Sequence, residues 1–196
     1  MSTRSRAILI VLAAALVVGI QLVDWGTTEN PAVLDAVKDL GGQWVDRPAP
    51  PIELPDTDGK TRHLSDYRGK VVFLNFWASY CAPCRKEMPS MERLIRQYRD
   101  QGLVMVAVSL DPKEADVDRF MARFLPDQRT AMTVLWDPKS ETGNRFGTEL
   151  IPETYIIDRK GRIVARFVNA YDWTRPEVKQ LIEALIRSED SQHRVL

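Results

Sequence analysis

Two cysteines occur in the 196-residue chain, and both fall in one short run, Trp77-Ala-Ser-Tyr-Cys81-Ala-Pro-Cys84-Arg-Lys-Glu87. A C-x-x-C pair can serve thiol-disulfide exchange, metal binding or haem attachment, and its neighbourhood separates these chemistries. The apolar run Val71–Phe76 reads as a buried strand just before the pair, and a helix is expected from about Cys81 to Gln101. At that helix start Cys81 meets unpaired backbone N–H groups and the positive end of the dipole, which favour its thiolate. Cys84, one turn later on the same face, can attack a mixed disulfide formed at Cys81. Pro83 stiffens the turn between them. Cys81 is the expected nucleophile, Cys84 the resolving thiol, and Cys81–Cys84 their disulfide.

The competing chemistries lack partners. His63 and His193 are the only histidines, one in a hairpin and one in a polar tail, too few for a four-ligand zinc shell. No metal and no organic cofactor is expected. Haem attachment needs a histidine straight after the second cysteine, where Arg85 stands. A structural bridge closing so small a loop would restrain little of the unfolded chain. Lysine plus arginine and aspartate plus glutamate each total 27, so the net charge is zero, which argues against nucleic-acid binding through a broadly basic surface. Apolar residues at 44% and charged residues at 28% are globular values.

The elements that must position the pair follow from periodicity. Ile52–Leu54, the turn Asp56-Thr-Asp-Gly59 and Thr61–Leu64 read as a small hairpin. Further strands are expected at 103–109, 133–136, 154–157 and 163–168, with helices at 113–125, near 139–146 and at 175–187. Val117, Phe120, Met121 and Phe124 mark one face of the first of these helices. Strand–helix alternation, then two strands around Asp158-Arg-Lys-Gly161, predicts an α/β domain with a mixed central sheet flanked by helices.

The N-terminal part divides differently. Arg4 and Arg6 precede an apolar segment from Ala7 that extends to Val23 if Gln21 is tolerated. Seventeen helical residues span roughly 25 Å, close to a hydrocarbon core of about 30 Å, and Trp25 sits where an interfacial anchor belongs. A transmembrane signal anchor over 1–24 is favoured. A cleaved signal peptide is the competing reading, although a small-x-small cleavage site is poorly supplied. Either way the remainder is expected to be exported. Residues 25–48 read as a spacer with a short helix, capped by Asn30, opened by Pro31 and ended by Gly41-Gly42. The domain is expected over 49–190 and a polar tail over 191–196.

Gly69-Lys-Val-Val-Phe-Leu-Asn-Phe-Trp-Ala-Ser-Tyr-Cys-Ala-Pro-Cys-Arg-Lys-Glu-Met-Pro89 and Ile151-Pro152-Glu-Thr-Tyr-Ile-Ile-Asp158 together resemble signatures of the thioredoxin superfamily. The closer resemblance is to membrane-anchored thiol-disulfide oxidoreductases of the TlpA/ResA/DsbE type. It covers about Ala49 to Ser188, with a strand–helix insertion near 112–136. The resemblance implies a thioredoxin-like fold, a cis-proline at Pro152 facing the cysteines, and an Ile151 backbone that pairs with an extended substrate; an ordinary trans proline at a strand start is the alternative. It also implies substrate contacts at Trp77 and Tyr80, beside the turn residue Pro83.

Glu87, one turn past Cys84, shares its helical face, can exchange protons with that thiol, and matches the family's active-site glutamate. A solvated first-turn carboxylate is the plainer alternative. Asn75 stands where plain thioredoxins carry a buried aspartate.

The resemblance further implies a protein disulfide reductase on the periplasmic side of a bacterial inner membrane. A membrane thiol reductant would regenerate it. Its disulfide-containing client would be an apocytochrome c or a copper-site protein, in cytochrome c maturation or oxidase assembly. Three alternatives stand beside this: a peroxiredoxin, whose P-x-x-x-T-x-x-C setting neither cysteine has, a non-enzymatic copper chaperone of the same fold, and a net oxidase of secreted proteins. Copper carriers of this fold use a C-x-x-x-C spacing with a distant histidine, and the periplasmic oxidases carry a large helical insertion; neither is found in this chain.

Overall fold

The computed structural model describes residues 31–124 and 132–190. The expected anchor at 1–24, residues 25–30 of the spacer and the tail at 191–196 lie outside the described residues. Among the described residues no helix is long and apolar enough to cross a membrane. In chain order the elements are α1 (Pro31–Asp39), β1 (Gln43–Pro48), β2 (Glu53–Pro55), β3 (Thr61–His63), β4 (Val71–Trp77), α2 (Ala82–Tyr98), β5 (Leu103–Ser109), α3 (Glu114–Phe124), β6 (Met132–Trp136), α4 (Glu141–Phe146), β7 (Glu153–Ile157), β8 (Arg162–Val168) and α5 (Pro176–Asp190).

Six strands form one mixed sheet in the order β1-β8-β7-β4-β5-β6, and β2 pairs with β3 in a separate hairpin. β4, β5 and β6 run parallel, while β7, β8 and β1 join by antiparallel pairing. Every residue of β4 is buried, as expected of a strand covered on both faces, and Asn75 is its one polar side chain. One face carries α1, α2, α3 and α5 over a core that includes Phe73, Leu94, Val117 and Leu181. The other face packs Phe146 of α4 and Ile52, at the entry to the hairpin, against Leu74, Val106 and Tyr155. The thioredoxin-like arrangement expected from the sequence is therefore present.

Residues 31–48 differ from the expected spacer. Val33, Val37 and Leu40 are buried in the same core as α2 and α5, each contributing roughly 1.5–3 kcal/mol of burial. Past the Gly41-Gly42 stop, β1 pairs antiparallel with β8 and becomes the edge strand of the main sheet. Proline and the polar residues of Gln43–Pro48 hid this strand, because an edge strand tolerates both. The folded unit thus starts before residue 49.

Gly41 adopts φ +70, in the left-handed region that ends a helix, and a Cβ on Gly42 would lie 2.5 Å from the Phe167 ring. Phe167 is itself fully buried and cannot retreat. Gly42→Ala is therefore expected to destabilise the protein by about 1–3 kcal/mol in urea titration. An unchanged midpoint would show that the β1 edge adjusts freely.

Candidate active site

The redox pair sits at the carboxyl ends of the parallel strands, where β4 hands over to α2. The connecting loop is pinned to the neighbouring strand. Leu110 N–H donates to the Trp77 carbonyl at 2.8 Å, and the buried Asp111 carboxylate accepts from Ser79 N–H at 2.8 Å and Ser79 Oγ–H at 2.6 Å. Ser109 Oγ–H, at 2.7 Å, holds Asp111 in turn. These bonds fix Trp77 and Ser79 in the turn that leads to Cys81.

Cys81 is the N-cap of α2, and Pro83 falls in its first turn. Cys81 and Cys84 form a disulfide with Cα atoms 5.3 Å apart. The Cys84 backbone N–H donates to the Cys81 sulfur at 3.2 Å, using one of the orphan donors of the helix start. The two cysteines are not equivalent: Cys81 is 8% exposed and Cys84 0%. An incoming disulfide meets Cys81 first.

Facing Cys81 is the loop before β7. The Ile151–Pro152 peptide bond is cis, and the Ile151 carbonyl oxygen lies 3.7 Å from the Cys81 sulfur. The ladder to β4 begins only at Glu153, so Ile151 lies outside it. Tyr80 and Leu150, each 67% exposed, are the exposed large hydrophobic side chains among the described residues. One directly precedes Cys81 and the other directly precedes Ile151. Two large apolar side chains left in water at the two loops of one site form a rim for an apolar partner.

Beneath the pair lies Glu87, 2% exposed on α2. The solvated alternative is thereby excluded. Its Oε1 accepts from Asn75 Nδ2–H at 3.1 Å; its Oε2 accepts from Tyr171 N–H at 3.1 Å and from Trp173 Nε1–H at 3.0 Å. Ser90 Oγ–H donates to the Glu87 carbonyl at 2.6 Å and accepts Trp173 N–H at 3.1 Å, which latches the β8–α5 loop onto α2. Burial pushes the Glu87 carboxyl up to about 7, against the three N–H donors that favour its ionised form. A buried carboxyl poised near neutrality, one turn from Cys84, suits proton exchange at neutral pH.

Trp77 requires a correction. It is fully buried and packs against Phe120 of α3, ring centroids 4.8 Å apart, so it supports the loop from below and offers no surface to a substrate. As the last residue of β4 it continues the inward face of that strand. Trp173, Tyr171, Asp111 and Leu150 belong to the site and carried no motif in the sequence. Only Leu150 left a trace, as an apolar residue in a loop beside Ile151-Pro152.

Because burial raises the folded-state pKa of Glu87, the folded protein binds the extra proton between about 4.5 and about 7. Its contribution to stability is complete below the lower value and lost as pH rises through the upper one. The oxidised protein should lose on the order of 3 kcal/mol across that window, and Glu87→Gln should flatten the loss in urea titrations at stepped pH. Parallel pH profiles for the two proteins would contradict the assignment.

Comparison with known proteins agrees with this geometry. The AhpC/TSA family pattern matches residues 45–166. The thiol-disulfide oxidoreductase ResA of Geobacillus kaustophilus is 34% identical over 184 residues, covering 94% of this chain and 88% of that protein. ResA of Geobacillus thermodenitrificans is 34% identical over 137 residues, covering 70% and 75% of the two chains. Among solved structures, a putative thiol:disulfide interchange protein DsbE from Chlorobium tepidum superposes with a TM-score of 0.66 at 34% identity, covering 74% of this chain and 99% of that one. A putative thioredoxin from Neisseria meningitidis gives 0.63 at 30% identity, covering 76% and 97%. With its redox pair capping a helix above a buried carboxylate, the chain belongs to the AhpC/TSA family and is a thiol-disulfide oxidoreductase of the ResA/DsbE type.

Proposed function

We propose that the protein works as an exported reductase of client disulfides, held by an N-terminal anchor on the extracytoplasmic side of the membrane. The observation that carries the catalytic part is the asymmetry of the pair: Cys81 keeps 8% of its surface exposed, while Cys84 is fully buried and one helical turn from a carboxyl near neutrality. Arg4, Arg6 and the apolar run Ala7–Ile20 support the anchor and its orientation. The client is a protein disulfide of an apocytochrome c or of a copper site, and a membrane thiol carrier restores the reduced pair. Both assignments follow the family resemblance.

The reaction balances as an exchange. Cys81, deprotonated and stabilised by the Cys84 N–H and the helix end, attacks one client sulfur. A Cys81–client disulfide forms and the other client sulfur leaves as a thiolate. Cys84 then gives its proton to Glu87 and attacks the Cys81 sulfur. The Cys81–Cys84 bond forms, the bond to the client breaks, and the client carries away two electrons. Two protons, one from Cys81 and one passed on by Glu87, complete its thiols. Ile151 pairs its backbone with the extended client segment, and Tyr80 and Leu150 cover the residues beside the client cysteine.

Cys84→Ser removes the resolving step, so disulfide-linked complexes should accumulate and identify the client by mass spectrometry. A blank trapping gel from a folded Cys84→Ser protein would contradict the reductase reading. Replacing Tyr80 and Leu150 together by serine should slow exchange with a protein disulfide by roughly tenfold, the scale of ~1.4 kcal/mol. Equal slowing with oxidised glutathione would remove the rim from client recognition.

A further inference from the structure

Glu87 is surrounded by donors. Asn75 Nδ2–H, Tyr171 N–H and Trp173 Nε1–H all point at its carboxylate, and each suits the ionised form. A protonated Glu87 carries an O–H that needs an acceptor, and none of these three groups supplies one as they stand. The two carboxylate oxygens also differ. Oε2 receives two N–H groups and Oε1 only that of Asn75, so the proton belongs on Oε1, facing Asn75.

Asn75 holds the missing acceptor. Its Nδ2 makes both of the amide's hydrogen bonds, to Glu87 Oε1 at 3.1 Å and to Thr154 Oγ1 at 3.0 Å. Its Oδ1 is buried and has no hydrogen-bond partner. A half-turn about the terminal side-chain bond exchanges the two atoms and brings Oδ1 to face the same two neighbours. A protonated Glu87 would then donate to Oδ1. Thr154, a hydroxyl able to give or take, would change from acceptor to donor. The turn exchanges the unpaired Oδ1 for an unpaired Nδ2 and its two N–H groups, a cost set against the hydrogen bond gained by the protonated carboxyl.

We propose that the Asn75 amide turns over as Glu87 gains and loses its proton, so that the carboxyl is hydrogen-bonded in both protonation states. Asn75 is on this account a positioning residue acting through Glu87, and the inference rests on Glu87 taking the proton of Cys84. An ionised aspartate at position 75 would lack the donor, and an alkyl side chain would lack both functions. The groups around the pair leave the amide as the adaptable one. From β4 comes Asn75, from β7 Thr154, and from the β8–α5 loop Tyr171, Asp172 and Trp173. Tyr171 contributes its backbone N–H and keeps its phenol elsewhere, while the exposed Asp172 carboxylate is bonded to Thr174. On α2 itself the neighbouring ionisable residues are Lys86 and Arg85, both exposed, and Cys84, which is buried beside Glu87 in the same helix. Trp173, fixed edge-on against Phe73 at 4.9 Å and fully buried, has no comparable freedom.

Nuclear magnetic resonance on the reduced, isotope-labelled protein tests this directly, with the Glu87 carboxyl carbon and both Asn75 side-chain amide protons followed from pH 4 to pH 9. Both amide protons should shift together, with the Glu87 midpoint, because both leave their partners when the amide turns. If only the proton facing Glu87 moves and the one on Thr154 keeps its shift, the amide is static and the proposal is overturned. A Glu87 titration that ignores the cysteines would instead remove the base role, while the paired or unpaired movement of the amide protons would still decide the turnover.

Discussion

A carboxyl group buried without a cationic partner is the constraint around which the site is built. Glu87 costs the fold its desolvation, offset in part by three N–H donors from two places: the Asn75 amide on β4, and the Tyr171 backbone and Trp173 indole of the β8–α5 loop. Those donors are available only because the sheet order puts β4 at the centre and returns the chain past β8 to the same face as α2. The aromatic cluster of Phe73, Phe167, Tyr171 and Trp173 then fixes the loop that carries two of the donors. Fold and proton chemistry meet at one side chain.

The same construction separates the two sulfurs. Cys81 ends a loop tied down by Asp111 and opens a helix, so its position and its electrostatics are set by backbone that cannot drift. Cys84 is fully buried, out of a client's reach and within reach only of the Cys81 sulfur. Attack from outside and resolution from inside therefore follow from burial, without a moving part. Tyr80 and Leu150 stay in water at the rim, where a client segment would cover them.

Much of this was legible in the amino-acid sequence, for physical reasons. Val71–Phe76 announces a central strand because burial on both faces demands a nearly continuous apolar run, and that strand before a helix start is the context in which a C-x-x-C reads as a redox pair. Glu87 was legible as a face-mate of Cys84 through helical periodicity. Its burial was not, since the groups that cover it lie 84 and 86 residues away in sequence. Trp173 reads as an ordinary core aromatic, and Trp77 as a neighbour of the cysteines whose side could not be told. β1 was hidden by the tolerance of edge strands for polar residues and proline. Local patterns thus gave the strand, the helix and the reactive pair, while long-range closure decided which polar groups surround them.

Coupling between the buried carboxyl and the buried thiol is the centre of this account. Its most direct test is to follow the Glu87 carboxyl carbon through a pH titration in the oxidised and the reduced protein side by side. The oxidised form should show one step, with a midpoint near 7. In the reduced form a second step should appear at the pH where the cysteine pair titrates, because interacting sites share their protons. Superimposable curves in the two redox states, or a single midpoint in the ordinary carboxylate range, would contradict it.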